Sequence, residues 1–550
     1  MPALPKSFGS SAHRKEDARL ITGTGRYTDD VSLPGQTFGA FVRSPVAHAN
    51  LGDIDVSEAL AHPGVLAVYT GREFAQSGLA HLQCGWMIHS KNGEPMRMGE
   101  HPALASERVR YAGDAVAIVI AESKSAARLG AELVMVDYDE LPIVVDVTEA
   151  GAADAPQLHP VAPNNECYNW ELGDAAGTAA ALADAAHVCE LTLVNNRLAP
   201  NAIETRAVNA SYDAAGDRYT AYVGTQNPHG LRMVLAAFIG FGPEHKVRVI
   251  SEDVGGGFGS KAFTYTEEVA CLWASKLIGR PVKWAAERSE AFLTDRHGRD
   301  HVTRVRMGLD KDNRVTGLHV DTQANLGAYL SSSGSLIPTY VYAPLISGQY
   351  KIPNIHVEVT TRYTNTSPVD AYRGAGRPEA GYVIERIMDV AARELGVDPA
   401  EFRRQNFIRE FPYDTGVEMV YDVGDFQAHL DKALALADES GFAARKAEAQ
   451  QRGKRRGFGI GCYIEAAGIG PSAKLGKLGS GAGMWESAEV RVNPTGSIEV
   501  LSWWPTSLGS ASTTSRLCMA IPTWCSLAWA RWARALARWV CPPFRWRATK

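Results

Sequence analysis

The stretch VISEDVGGGFGSK, residues 249–261, places four glycines, Gly255, Gly256, Gly257 and Gly259, directly after a β-rich run. A helix-forming run, AFTYTEEVACLWASKLIG (262–279), follows it, with Gly279 as its stop and Pro281 beyond. Strand, glycine loop and helix together let backbone amides approach a ligand closely, and the helix N-terminus beside them favours an anion. Ser260 stands where both a GxxxxGK phosphate loop and a GxGxxG dinucleotide fingerprint starting at Gly255 require glycine, so neither motif is present. A tight strand-to-helix turn with no ligand fits the same residues.

Working outward, two further segments have chemical content. AYRGAGRPE (371–379) sets Arg373 and Arg377 among small residues just before an amphipathic helix, 377–395, that ends at Gly396. Two guanidinium groups there suit an anion, although surface arginines at a solvated helix start fit equally. GTQNPH (224–229) is a strand end with an amide pair, Gln226 and Asn227, and reads by default as a turn. His297 and His301 have a helical metal spacing, but Gly298 and flanking charges make a solvated loop. The neighbouring carboxylates Glu267 and Glu268 face different ways and make no acid/base dyad. Neither a catalytic residue nor a metal ligand is assigned.

The earlier part of the chain alternates strands (TFGAFVRS, GVLAVYTG, DAVAIVIAE, AELVMVDYDELP) with helices (VSEALAH, SKSAARLGAEL), as a mixed α/β domain does. Residues 150–166 are rich in Ala, Pro and Asn and read as linker. Strands dominate from residue 187, including a long hairpin over 302–325 turning at Asp312-Asn313 and a second over 486–501 turning at Asn493–Gly496.

With 550 residues, three or four domains are expected, at about 150 residues each. The eight cysteines form no CxxC, which argues against metal ribbons, iron–sulfur clusters on this chain and a disulfide scaffold, and favours a reducing cytoplasm. No secretory leader opens the sequence, and no apolar run of about 18 residues occurs to span a membrane. The net charge of −5 hides a discontinuity: residues 502–550 carry +7, leaving −12 for residues 1–501, which disfavours nucleic acid as partner. That tail holds seven of the twelve tryptophans and no Asp, Glu or His.

Taken in order, RKEDARLITGTGRYTDDVSLPGQTFGAFVRSPVAHA (14–49), HPGVLAVYTGREF, ALASERVRYAGDAVAIVIAES, GTQNPHG, EDVGGGFGSK, RPVKWAAERSEAF, YKIPNI, AYRGAGRPEA and RGFGIGCYIEAAG (456–468) resemble the molybdenum hydroxylase family. These are the large molybdopterin-binding subunits of xanthine dehydrogenase, aldehyde oxidase and carbon monoxide dehydrogenase type. The resemblance implies an α+β fold: an α/β hammerhead domain over 8–148, a linker over 149–186, and the first part of a molybdopterin-binding domain over 187–501. It implies that Gln226 lies near the apical oxo position of molybdenum, that Gly257, Phe258 and Gly259 pack their backbone on the cofactor, and that Arg373 hydrogen-bonds near the metal. It also implies a pterin cytosine dinucleotide form, an iron–sulfur small subunit and an FAD medium subunit as partners, and hydroxylation with water as the oxygen source.

Two departures bear on substrate. Ala262 follows Lys261 where purine-oxidising members place Glu, and Gly374 follows Arg373 where copper-bearing carbon monoxide dehydrogenases place Cys. An aldehyde or N-heteroaromatic ring is therefore expected, with carbon monoxide kept open. The likeness ends after residue 501, and the family's catalytic Glu lies beyond that point. The composition of 502–550 reads as out-of-frame translation rather than a Trp/Arg surface helix. This leaves two expectations: a catalytic subunit of a molybdenum-dependent oxidoreductase, or a truncated remnant without its general base that at most binds partners and aggregates alone.

Overall fold

Seven strands drawn from widely separated parts of the chain hydrogen-bond into one sheet. Their order is Val247–Ile250, Arg218–Val223, Ala207–Asp213, Val282–Ala285, Thr37–Arg43, Ala115–Ala121 and Val65–Thr70. In this computed structural model the described residues are 14, 16–466, 476–481, 487–492, 494, 497–503 and 519–520. Ala115–Ala121 is buried at every position, as a near-continuous apolar run requires of a central strand. The seam of the sheet is the parallel pair Thr37↔Val282, so the α/β hammerhead strands and those of the following domain share one ladder. A smaller sheet, Arg108–Val109, Ala49–Asp55 and Met135–Glu140, completes the first part.

A second sheet of five strands runs in the order Glu166–Gly173, Asn354–Tyr363, Val315–Gly327, His301–Leu309 and His187–Asn195. The long hairpin forms as expected: His301–Leu309 pairs antiparallel with Val315–Gly327, and Asn313 has positive φ in the turn. Helix Arg377–Glu394 contributes Val383, Ile384, Ile387 and Met388 to one core with Val305, Leu318 and Val357 of this sheet. The segment expected as linker, 149–186, needs correction. It holds the edge strand Glu166–Gly173 and helix Ala175–Ala183, whose N-cap Asp174 accepts from the Gly177 amide. Low-complexity composition hid a strand whose partner, Asn354–Tyr363, lies far along the chain.

Among the described residues no helix is long and apolar enough to cross a membrane. In a separate unit, Ser487–Val492 pairs antiparallel with Ser497–Trp503, and Met519–Ala520 adds a short third strand. The expected out-of-frame tail falls, apart from these strand ends, outside the described residues.

Glu267 and Glu268, adjacent on helix Thr266–Ile278, show how burial is resolved differently at neighbouring positions. Glu267 accepts from Arg206 (2.7 Å) and from Arg43 (2.8 Å), joining the hammerhead strand Thr37–Arg43 to the helix and to strand Ala207–Asp213. Burial pushes its carboxyl up, and the two guanidinium groups override this and hold it well below the usual range. Glu268 has no such cation; its carboxylate accepts from the Tyr265 amide (2.9 Å), and burial pushes it up to about 8.

Glu267→Gln leaves two buried arginines short of a counter-charge and should cost about 3–5 kcal/mol in denaturant unfolding. Between its ordinary value of 4.5 and about 8, folded Glu268 keeps a proton that the unfolded chain has lost, so stability falls as pH rises through that window. Glu268→Gln should preserve the cap and flatten that fall.

Candidate functional site

The glycine loop closes on three other segments through contacts that leave no room for side chains. Strand Val247–Ile250 delivers the loop, and Gly256 (φ +94°), Phe258 (φ +54°) and Gly259 (φ +105°) take left-handed backbone conformations. A Cβ on Gly259 would lie 2.3 Å from the Ala371 carbonyl oxygen, and one on Gly257 would lie 2.3 Å from Gln226 Oε1. Phe258 is a bulky residue at positive φ with a partly exposed ring, a strain found where a loop's shape is over-determined by its surroundings.

Each neighbour is pinned by name. The Gly259 amide donates to Gln226 Oε1 (2.9 Å), and the Gln226 amide donates to the Lys261 carbonyl (2.9 Å). The Arg373 amide donates to the Phe258 carbonyl (2.9 Å), and the Arg373 guanidinium lies over the Phe258 ring at 5.7 Å. Gln226, Gly257, Phe258, Gly259 and Arg373, five residues spread over nearly 150 positions, thus form one constellation. Ala262 begins no helix: Ser260–Ala262 is a 3-10 turn, and the helix starts at Thr266 with its N-terminus already capped by Glu268. The expected helix-terminus contribution to anion binding is therefore corrected. Its role falls to the loop itself, because the amides of Gly256, Gly257 and Phe258 donate to no acceptor among the described residues.

The arginine pair also divides. Arg377 is buried and braces the backbone, donating from Nη1 and Nη2 to the Ala375 and Ala466 carbonyls, while its Nε has no hydrogen-bond partner among the described residues. Arg373 is exposed, and its guanidinium has no hydrogen-bond or ion-pair partner among the described residues. The Gln226 side-chain nitrogen likewise donates to nothing there, although Gln226 itself is buried. Unspent backbone, amide and guanidinium donors on one surface are the donor set of an anion site. They fit a phosphate-bearing, oxo-bearing cofactor without rearrangement of the contacts that hold them.

Sequence reasoning missed two residues here. Glu204 accepts from the Gly255 amide (2.7 Å) and from the Lys261 ammonium (2.6 Å), clipping both ends of the loop with one oxygen. Burial pushes the Lys261 ammonium down, opposed by Glu204. Arg299, read as part of a solvated loop, is buried; it donates to the Tyr372 and Arg373 carbonyls (3.2 and 2.8 Å) and to Glu379 (2.9 Å). Its positive φ had no sequence signal beyond the neighbouring glycine. His297 and His301 do not converge: His297 meets the Phe292 carbonyl, while His301 opens a strand against the Tyr342 ring.

Comparison with known proteins agrees with this geometry. Residues 22–142 match the aldehyde oxidase and xanthine dehydrogenase a/b hammerhead domain, and residues 158–407 and 432–520 match molybdopterin cofactor-binding domains. The last match runs past residue 501, where the family likeness was expected to end. The carbon monoxide dehydrogenase large chain of Hydrogenophaga pseudoflava is 38% identical over 507 residues, covering 88% of this chain and 61% of that protein. The nicotine 6-hydroxylase large subunit of Paenarthrobacter nicotinovorans is 32% identical, covering 91% and 60%. The solved quinoline 2-oxidoreductase of Pseudomonas putida 86 superposes with a TM-score of 0.83 at 32% identity, covering 90% and 62%. The chain thus spans about three fifths of the length of the curated relatives it matches.

Gly259→Ala should drive the loop off Ala371 and accelerate amide exchange at both 255–261 and 371–376. Gly23→Ala, also at positive φ (+74°) but with nothing within 4 Å of the added carbon, should leave both segments unchanged and cost only about 1 kcal/mol.

Proposed function

The chain belongs to the molybdenum hydroxylase family, and we propose that it acts as the molybdopterin-binding large subunit of a hydroxylase that oxidises an aldehyde or an N-heteroaromatic ring with water as oxygen source. The observation that carries this reading is the cluster of unspent donors on Gly256–Phe258, Gln226 and Arg373. The related proteins named for nicotine and quinoline support an N-heteroaromatic substrate, and Gly374 in place of a copper-binding Cys argues against carbon monoxide.

In this reading the glycine-loop amides hold the cofactor's anionic part, a cytosine dinucleotide extension included. Gln226 would offer its side-chain amide N–H to the cofactor, and Arg373 would add a cationic donor. When bound, the cofactor supplies the two-electron chemistry and the oxygen transfer. The chain's own contribution is orientation: Glu204 and Lys261 fix the loop ends, and Arg299 fixes the turn that carries Arg373. An iron–sulfur small subunit and an FAD medium subunit would be the electron-accepting partners. The described cysteines, Cys84, Cys167, Cys189, Cys271 and Cys462, are unpaired, which suits the cytoplasm and leaves the clusters to those partners.

A second reading, a chain that binds cofactor and partners without turnover, is favoured by one observation. Two carboxylates that touch the loops are ion-paired through one oxygen each, Glu204 to Lys261 and Glu379 to Arg299, while Glu204 Oε1 and Glu379 Oε2 have no hydrogen-bond partner among the described residues. Glu465, 4.0 Å from Arg377, is partly exposed.

Co-expressed with its partner subunits, the chain should carry molybdenum and a pterin, and Arg373→Ala should lower the molybdenum content while leaving the melting temperature within a degree or two. Absence of both metal and pterin from a complex with loaded iron–sulfur and flavin sites contradicts the reading. Metal without turnover selects the second one.

A further inference from the structure

The five-stranded sheet carries a second cluster of ligating groups on its partly exposed face. His319 and His356 are directly opposite across the parallel pair Val315–Gly327 and Asn354–Tyr363, and their rings stack at 5.3 Å. Glu358 is two residues along from His356 on the same face, and Glu171 lies directly opposite Glu358 on the edge strand Glu166–Gly173. His319 Nε2 is 2.9 Å from Glu358 Oε2, and His356 Nε2 is 3.1 Å from Glu171 Oε2. The ligand atoms of His319, His356 and Glu358 all lie within 4.8 Å of one another.

We propose that His319, His356, Glu358 and Glu171 form a binding site for a zinc-type divalent cation, separate from the molybdopterin cradle. Two imidazoles and two carboxylates are a borderline-soft nitrogen and oxygen set suited to zinc or cobalt. A tetrahedral ion with ligands at about 2.0–2.1 Å holds its donor atoms roughly 3.3 Å apart. The His319–Glu358 and His356–Glu171 spacings, 2.9 and 3.1 Å, lie a little below that value, and the ligand atoms of His319, His356 and Glu358 stay within 4.8 Å, so small side-chain rotations close the site. The strands themselves need not move, because register already places the four residues together.

Between Glu358 and Glu171 sits Lys91, whose ammonium contacts Glu358 and lies 3.4 Å from Glu171, while Arg304 and Arg306 pair in register with Asp321 and His319 on the neighbouring strand. A divalent ion bound by the two glutamates displaces the Lys91 ammonium from between them. It then ties three strands together where the lysine ties a loop to two.

The test is a Co2+ titration of the full chain after chelator treatment. The proposal expects one Co2+ per chain with the visible bands of tetrahedral coordination, lost on adding Zn2+. Ligand loss exceeds the tenfold to hundredfold penalty of a disturbed outer partner, so His356→Ala and Glu358→Gln should each weaken binding by at least about 100-fold. Lys91→Met should strengthen it by removing the competitor. Glu358→Gln is isosteric and partly exposed, so it reports binding even where His356→Ala destabilises the sheet. Absence of tetrahedral bands, or unchanged binding in Glu358→Gln, overturns the proposal and leaves the cluster as a Lys91 cross-link.

Discussion

A carbonyl oxygen placed 2.3 Å from where a side chain would begin is the constraint on which the site depends. Only glycine at position 259 lets the loop lie against Ala371, and only that contact lets the Arg373 amide reach the Phe258 carbonyl. Everything chemical follows from the fit. The positive-φ backbone at Gly256, Phe258 and Gly259 turns three consecutive amides away from internal acceptors, and the same turn leaves Gly259 to orient Gln226. Donors left without an internal acceptor by so tight a packing are available to a ligand.

The scaffold beneath this contact is a sheet that ignores the boundary between the two domains. Thr37–Arg43 pairs with Val282–Ala285, and Arg43 reaches under that seam to share Glu267 with Arg206. Strand Arg218–Val223 of the same sheet leads to Gln226, and strand Val247–Ile250 leads to the glycines. The buried ion network therefore acts at a distance from the cradle but on the elements that aim it. Burying these charges costs desolvation, and the expense is recovered only because each guanidinium meets carboxylates on more than one side.

Much of this was legible in the sequence, because the information was local. Glycines at 255–259, the Gln226 turn and the Arg373 turn each carry a recognisable local pattern, and the hairpin turning near Asn313 and the helix stop at Gly279 follow from turn and cap chemistry. What stayed hidden is non-local. Glu204 is an ordinary glutamate until the fold brings it to Gly255 and Lys261, and Arg299 lies in a charged run that composition assigns to solvent. The strand Glu166–Gly173 was masked by its Ala- and Pro-rich flank and became a strand only by pairing with Asn354–Tyr363. Arg377 shows the reverse error: chemistry suggested by spacing was spent on bracing the backbone.

The central claim is that the three segments act as one cradle for the molybdopterin cofactor. Hydrogen–deuterium exchange on the chain purified from a host that makes the cofactor, set against the chain from a host that cannot, tests it most directly. The account predicts added protection confined to residues 224–227, 255–261 and 371–377, with the amides of Gly256, Gly257 and Phe258 changing most. Equal exchange in the two preparations despite bound pterin, or protection located on other parts of the chain, would contradict it.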